Sequence, residues 1–285
     1  MRIDPRTFQI ASLAGLLAYG MGVRGFDVDP PRAALLVGCC AGAQCLLSAL
    51  AGVRFEWRSA LISGLSLCLL LRTGSDVLAA AAAFLAIASK FVLRWNGKHV
   101  FNPTNFGIVA LLLTTGDAWV SPGQWGNLAL LAFLIASAGG LVVNRAARSD
   151  VTCAFLGFWA ALLAARAAWL GDPWSIPLHQ LQSGALLLFS FFMISDPKTT
   201  PDSRAGRILF ALLVALGACY VQFRLFRPNG LLLSLFFCSF AVPLIDRFFA
   251  GRRYDWSAPT TGAVSRERSP SVLGAVPQAA HALSR

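Results

Sequence analysis

The stretch FFMISDPKTTPDSRAGRILFALLVALGACYVQF, residues 191–223, decides how the chain is read. One apolar run ends at Ile194 and a longer one begins at Ile208. Between them stand Asp196, Lys198, Asp202, Arg204 and Arg207, together with Pro197, Pro201 and the hydroxyls of Ser195, Thr199, Thr200 and Ser203. The second run is apolar on nearly every face. A helix on the surface of a soluble protein keeps a polar face, so a run without one is buried all round or lies in lipid.

Working outward, the same pattern fills the chain. Of 285 residues, 56% are hydrophobic and 13% are charged, with a mean hydropathy of +0.64. Soluble domains carry about 25% charged residues, so the composition predicts an all-α, polytopic membrane bundle. Runs of about 17–25 mainly apolar residues, divided by Gly, Pro and charge, fall near 7–23, 33–53, 58–72, 76–94, 100–115, 126–144, 151–170, 178–195, 206–224 and 229–249. Two of them, 58–72 and 100–115, are short, and short segments are where backbone lines a cavity rather than lipid. The first run lacks a cleavage site and is followed by further spans, so it reads as a helix and not as a removed signal.

Ten spans place both termini on one side. With the termini in the cytoplasm, Arg24, Arg32, Arg72, Arg166, Arg224 and Arg227 are the outer cations, and the rest of the 24 Lys and Arg lie inside. The positive-inside rule favours that orientation, with the chain in the inner cell membrane. It also accounts for the net charge of +11. No basic helix or aromatic-interleaved basic stripe points to nucleic acid. Residues 1–250 form the expected transmembrane domain. Residues 251–285, rich in Pro and Ser and without periodicity, read as a disordered cytoplasmic tail. A five-helix half is inverted in its repeat, and RWNGKHVFNPTNFGIVALLL (94–113) loosely resembles RLFRPNGLLLSLFF (224–237). The DPKT segment then pairs with RTGSDVLAAAA (72–82).

Seven cysteines lie inside apolar runs without metal spacing, which predicts packing roles. His99 and His179 are isolated, and no zinc-protease, nucleophile-elbow or phosphate-loop motif is present. Trp119 and Trp125 flank a Ser-Pro-Gly turn, as in an interfacial aromatic belt. Arg166 reads as snorkelling outward or lining a polar path. Asp246 reads as interfacial, paired with Arg247 or a neighbouring loop.

Two polar segments carry the candidate chemistry. In KFVLRWNGKHVFNPTNFG (90–107), Pro103 fixes its own φ and biases Asn102 away from helix, so Asn102 is expected to cap the fifth helix. Asn102, Thr104 and Asn105 then form a neutral polar cluster suited to an imide-bearing ring or a dipolar ligand; an ordinary N-cap explains the same residues. In the second segment Asp196 and Pro197 repeat the logic, with Lys198 as a neighbouring cation and Thr199, Thr200 and Ser203 as hydroxyls. Charge at the hydrocarbon boundary is costly and marks functional candidates.

Both segments resemble the B-type and D-type membrane components of the sodium-pumping NADH:quinone oxidoreductase and of the Rnf complex (the NqrB/RnfD family). FFMISDPKTTPDSRAGR matches their Asp-Pro-x-Thr-x-Pro motif, AVPLID (241–246) matches their closing Pro-Leu-Ile-Asp, and KFVLRWNGKHVFNPTN matches their Lys…Phe-Asn-Pro-x-Asn segment. The resemblance extends over about 60–250. It implies a flavin-binding, electron-conducting bundle with FMN or riboflavin as cofactor. In the family, covalent FMN hangs on the Thr of an S/T-G-A-T motif. Here the nearest stretches are TTGD (114–117) and SGAL (183–186), so a non-covalent flavin is expected. The resemblance assigns Lys98, Asn102, Pro103, Asn105, Asp196, Lys198 and Thr199 to the cofactor site. Asn102 and Asn105 would bond the imide, with Lys98 or Lys198 as the stabilising cation. The short length and the SPGQWG loop are most similar to the UnbU-type membrane proteins of enediyne biosynthesis clusters, which implies a secreted UnbV-type protein, or other membrane redox subunits, as partners. Two other readings remain from the residues alone: a transporter or channel for a small polar solute, and a membrane component or anchor of a natural-product biosynthetic system without redox activity.

Overall fold

The computed structural model describes residues 4–121 and 129–254. Its architecture is all-α, as expected. In chain order the helices are α1 (Pro5–Gly22), α2 (Pro30–Leu50), α3 (Trp57–Leu70), α4 (Asp76–Val92), α5 (Pro103–Thr114), α6 (Ala129–Arg145), α7 (Ser149–Leu170), α8 (Ser175–Leu181), α9 (Gly184–Leu188), α10 (Arg204–Phe223), α11 (Gly230–Ser239) and α12 (Val242–Phe248). A π-helical stretch, Phe189–Met193, continues α9. The strands are short: β1 (Leu71–Thr73) pairs antiparallel with β4 (Ala118–Val120), and β2 (Arg94–Trp95) with β3 (Lys98–His99). Gly97 turns the second hairpin at a φ of 77°, a left-handed conformation that suits glycine.

The apolar character of the bundle is visible on its outside. Val77, Phe84, Val92, Leu113, Leu216, Phe237, Phe240 and Leu244 are all exposed, a distribution that suits lipid and not water. Among the described residues, α2, α7 and α10 are each long and apolar enough to cross a bilayer, and up to five such spans result if each bent pair counts as one.

The two bent pairs correct an expectation. Residues 178–195 and 229–249 read as continuous spans, but α8 meets the α9–π segment at 45° and α11 meets α12 at 53°. The first break falls at Gln182–Ser183, ahead of Gly184. The second falls just before Pro243, whose ring nitrogen carries no hydrogen to continue the ladder. The π stretch alters the helical hydrogen-bond pattern, and the Ser190 carbonyl accepts a bond from Thr152 Oγ1 of α7 at 2.9 Å.

The halves repeat in packing. α4 packs on α2 and α5, and α10 packs on α7 and α11. Ser75 caps α4 through Leu78 N–H, and Ser203 caps α10 through Gly206 N–H. The segment before α4 (β1) meets the end of α5 through β4, whereas the segment before α10 meets the start of α5, where Asn102 Nδ2 approaches the Met193 carbonyl at 3.4 Å. These two segments therefore sit at opposite ends of α5. Close approach within each half is helped by glycine: a Cβ on Gly107 would lie 2.5 Å from the Ala82 carbonyl, and one on Gly230 would lie 2.9 Å from that of Ala218.

Both ends of the described chain lie at the same end of the bundle. Arg6 bridges Asp4 and Glu56, and Lys198 Nζ reaches the Tyr254 carbonyl at 3.3 Å. Of residues 251–254, read as the start of a tail, the first three are exposed, although the Gly251 backbone lies close to that of Ser203, and Tyr254 is half-buried with Arg148 stacked over its ring at 4.8 Å. The remainder of the tail, from 255, and the SPGQWG loop from residue 122 lie outside the described residues.

Candidate functional site

The polar segment at 195–203 is a compact turn that many elements grip. Asp196 does not begin a helix. Its Oδ1 accepts Lys198 N–H at 3.0 Å, and its carbonyl accepts Thr199 and Thr200 N–H and both of their hydroxyls. Around this turn the charges are paired. Lys98 Nζ lies 2.9 Å from Asp202 and 2.6 Å from Asp246, while the second Asp246 oxygen accepts Asp202 N–H at 2.8 Å. Arg207 grips Asp150 of α7 with Nε and Nη2 and gives Nη1 to the Asp202 carbonyl. Arg148 Nε reaches Thr200 Oγ1 at 3.3 Å. Burial, then the neighbouring Arg207, pushes the Arg148 guanidinium down to about 10. The loop thus ties α5's approach, α7, α10 and α12 at one end of the bundle.

Beside it opens a cavity of about 720 Å³, with Gln44 of α2, Ser63 and Ser66 of α3 and Lys90 of α4 in its wall, closed by His99, Asn102, Pro103 and Thr104 on one side and by Met193, Asp196 and Lys198 on the other. Its volume suits a small-molecule ligand, for which roughly 300–1,000 Å³ is usual. Asn102 caps α5 as expected, its Oδ1 accepting Asn105 N–H at 3.0 Å. Its Nδ2 turns to the Met193 carbonyl and to Asp196 Oδ2, at 3.4 and 3.3 Å. Burial pushes the Asp196 carboxyl up, against the Lys198 N–H and the charges of Lys198, Lys90 and Arg148.

Of the seven residues singled out in the sequence, Asn102, Pro103, Asp196 and Lys198 line this cavity. The other three do not. Lys98 is held by its two carboxylates. Asn105 is fully buried and turned to α11, where its Nδ2 donates to the Leu232 carbonyl at 3.2 Å; it has Asn102's residue type, but three residues further along a helix it faces a neighbouring helix. Thr199 is buried and bonds inside its own turn. Asp246 pairs with Lys98 across the chain and not with Arg247. Arg166 bonds Asp172 and stacks on Phe223.

Sequence reasoning missed Lys90, Gln44 and Ser59. Lys90 is buried and gives hydrogen bonds of 2.9 Å to Gln44 Oε1 and 3.0 Å to Ser59 Oγ. A Lys in the last turn of an apolar helix is the signal that could have found it.

A second cavity of about 490 Å³ lies at the other end, lined by Trp159, Gln180, Ser183, Leu186, Phe189, Asn229 and others, and Met193 lines both cavities. Leu186, the last residue of SGAL, is buried and aliphatic; it offers no hydroxyl for a phosphoester. Thr114 and Thr115 of TTGD donate their hydroxyls to the Ala110 and Leu111 carbonyls.

For the non-covalent flavin, the donor set fits. The first cavity combines carboxamide, hydroxyl, ammonium and imidazole groups with apolar walls, and the Nδ1 of His99 is a buried nitrogen without a partner among the described residues. That is the environment a polar heteroaromatic ring requires.

The comparisons with known proteins agree with this architecture. The model of the NQR2, RnfD, RnfE family matches residues 112–255, just over half of the 285 residues. The match includes Asp196, Lys198 and Thr199 and begins after Asn102 and Asn105, so it is narrower than the motif resemblance. The chain is 31% identical over 159 residues to the D-type subunit of the ion-translocating oxidoreductase complex of Erwinia tasmaniensis, covering 53% of this chain and 39% of that protein. It is 33% identical over 143 residues to the protein of the same name from Alcanivorax borkumensis, covering 49% and 40%. The corresponding Escherichia coli O1:K1 protein is 33% identical over 156 residues, covering 53% and 40%. The chain spans about two fifths of the length of these curated relatives. With a family model matching half the chain and the Asp-Pro turn inside that match, the chain belongs to the NQR2, RnfD, RnfE family of membrane proteins.

Proposed function

We propose that the chain is a membrane electron-transfer subunit that holds FMN or riboflavin non-covalently in the cavity between Asn102 and Asp196. The observation that carries this reading is the cavity itself: a polar, ligand-sized space at the point where the capped start of α5 meets the Asp-Pro turn. The flavin ring, when bound, supplies one- and two-electron chemistry that side chains lack. The protein's part is to hold and tune it. Asn102 fixes the distance between α5 and the turn. Lys90 and Lys198 place positive charge on the cavity wall, which favours a ring that gains electron density. The apolar helices around them keep bulk water away and strengthen those charges.

The family and the names of the relatives support work as one subunit of an ion-translocating oxidoreductase complex in the inner membrane, beside other membrane redox subunits. The two described ends lie together at the cation-rich end, which supports a cytoplasmic placement of that end. Titration of the purified chain with riboflavin, followed by quenching of flavin fluorescence, tests the reading; no saturable quenching contradicts it.

A further inference from the structure

The wall of the first cavity changes character with depth. Its inner part is buried, with Ser63, Ser66, Lys90, Asn102 and Thr104 beside the apolar Phe192 and Met193. Its mouth is charged and open, since Arg54, Glu56 and Arg94 line the cavity and are all exposed. Arg54 stands in the connection from α2 to α3, and Arg94 on β2, just past the end of α4. Two neighbouring helices thus deliver one arginine each to the same opening.

The charges on this wall do not cancel. Three carboxylates line it: Asp4, Glu56 and Asp196. Arg6 holds Asp4 at 2.8 Å and Glu56 at 2.7 Å, and Arg58 adds a second cation 3.9 Å from Asp4. Asp196 has Lys198 and Lys90 as its neighbouring cations. Arg54 and Arg94 are left over, and neither forms an ion pair among the described residues. Cations at a cytoplasmic end orient a membrane chain, but any loop position serves that purpose. Orientation does not require that both line one ligand-sized cavity. Two positive charges at its mouth match a phosphate monoester, which carries about −1.5 to −2 at neutral pH, and the planar guanidinium fork suits phosphate oxygens.

We propose that Arg54 and Arg94 form a phosphate subsite at the mouth of this cavity, and that its occupant is the phosphorylated flavin, FMN in preference to riboflavin, with the ring inside and the phosphate at the rim. The inference rests on the flavin reading above and chooses between the two flavins that reading allows. A lipid headgroup offers the same two arginines the same phosphate oxygens, so the deciding ligands must differ in the phosphate alone.

The test titrates the detergent-purified full chain with FMN and with riboflavin, followed by quenching of flavin fluorescence. The parent chain is expected to bind FMN about tenfold more tightly at low salt, the size of effect that two exposed ion pairs supply together. The preference should shrink at high ionic strength, where exposed charges are screened. Arg54→Gln combined with Arg94→Gln should bring FMN down to the affinity of riboflavin and leave riboflavin unchanged. Both side chains are exposed, so this variant should fold. A parent chain that binds the two flavins equally, or a double variant that keeps the preference, overturns the phosphate subsite while leaving the flavin site intact. In that event, phosphatidylglycerol that co-purifies with the parent chain and is lost from the double variant assigns the arginines to a lipid headgroup. A parent chain that binds neither flavin overturns the site and this inference together.

Discussion

Asn102 and Asp196, 94 residues apart in the chain, meet at 3.3 Å between Nδ2 and Oδ2. One is the cap of α5 and the other organises the turn before α10, so their contact joins the two halves of the bundle at the rim of the cavity. Substituting either one acts on stability and on the site together.

Asn102→Ala removes the cap and the contacts to the Met193 carbonyl and to Asp196. Loss of a helix cap alone costs about 0.5–2 kcal/mol, so the detergent unfolding temperature should fall. Asn102→Ser keeps a capping hydroxyl but cannot reach Met193 or Asp196, and should recover most of the stability. Both variants should bind less flavin. Equal unfolding temperatures for Ala and Ser would show that the cap carries no stability.

Lys98 is a structural cation. Its partners Asp202 and Asp246 are largely buried, with side-chain exposures of 12% and 19%. Breaking a buried pair from one side costs about 3–5 kcal/mol. Lys98→Met should therefore destabilise strongly, and adding Asp202→Asn and Asp246→Asn should restore much of the loss. Riboflavin affinity of the triple variant should match that of the parent chain. A selective loss of flavin in a well-folded triple variant would return Lys98 to the site.

Arg207 holds Asp150 through two nitrogens and the Asp202 carbonyl through a third. Lysine cannot reproduce that planar fork. Arg207→Lys should lower the unfolding temperature nearly as much as Arg207→Met, measured by thermal unfolding in the same detergent. Full stability in the Lys variant would reduce this contact to simple charge pairing.

The pH dependence has a definite sign. An unfolded histidine titrates near 6.5, while folded His99, buried beside Arg94, Lys90 and Lys198, titrates at about 4. Between those values the unfolded chain binds the extra proton, so stability rises with pH across this window and is lost as pH falls through it. Relative to His99→Gln, the parent chain should lose more stability between pH 6.5 and 4. Parallel pH profiles for the two chains would contradict the burial of a neutral ring.

Much of the fold is legible in the sequence because a membrane chain writes its helices as long apolar runs. The ten expected segments coincide with α1 to α7, the α8–α9–π segment, α10, and α11 with α12. The bends are not legible in the same way. Hydropathy is continuous through Phe240, where only Pro243 gives a local warning, while the first break falls in the polar stretch His179–Gly184, which lies inside the expected span. At the site, Asn102 and Asp196 are legible because proline follows each of them and fixes their local geometry. Asn105 and Lys98 look equivalent by residue type, but helix phase sends one toward α11 and long-range pairing takes the other to Asp202 and Asp246. Lys90 does carry a local signal, a cation in the last turn of an apolar helix, but its partners Gln44 and Ser59 come from α2 and α3, and no local pattern encodes that meeting.

The central claim is a flavin held without a covalent bond. The most direct measurement is the absorbance and fluorescence spectrum of the detergent-purified chain, produced with ample riboflavin, before and after acid precipitation. The account predicts a flavin spectrum on the native protein and flavin in the supernatant after acid. A colourless native protein, or flavin that stays with the precipitate, would contradict it.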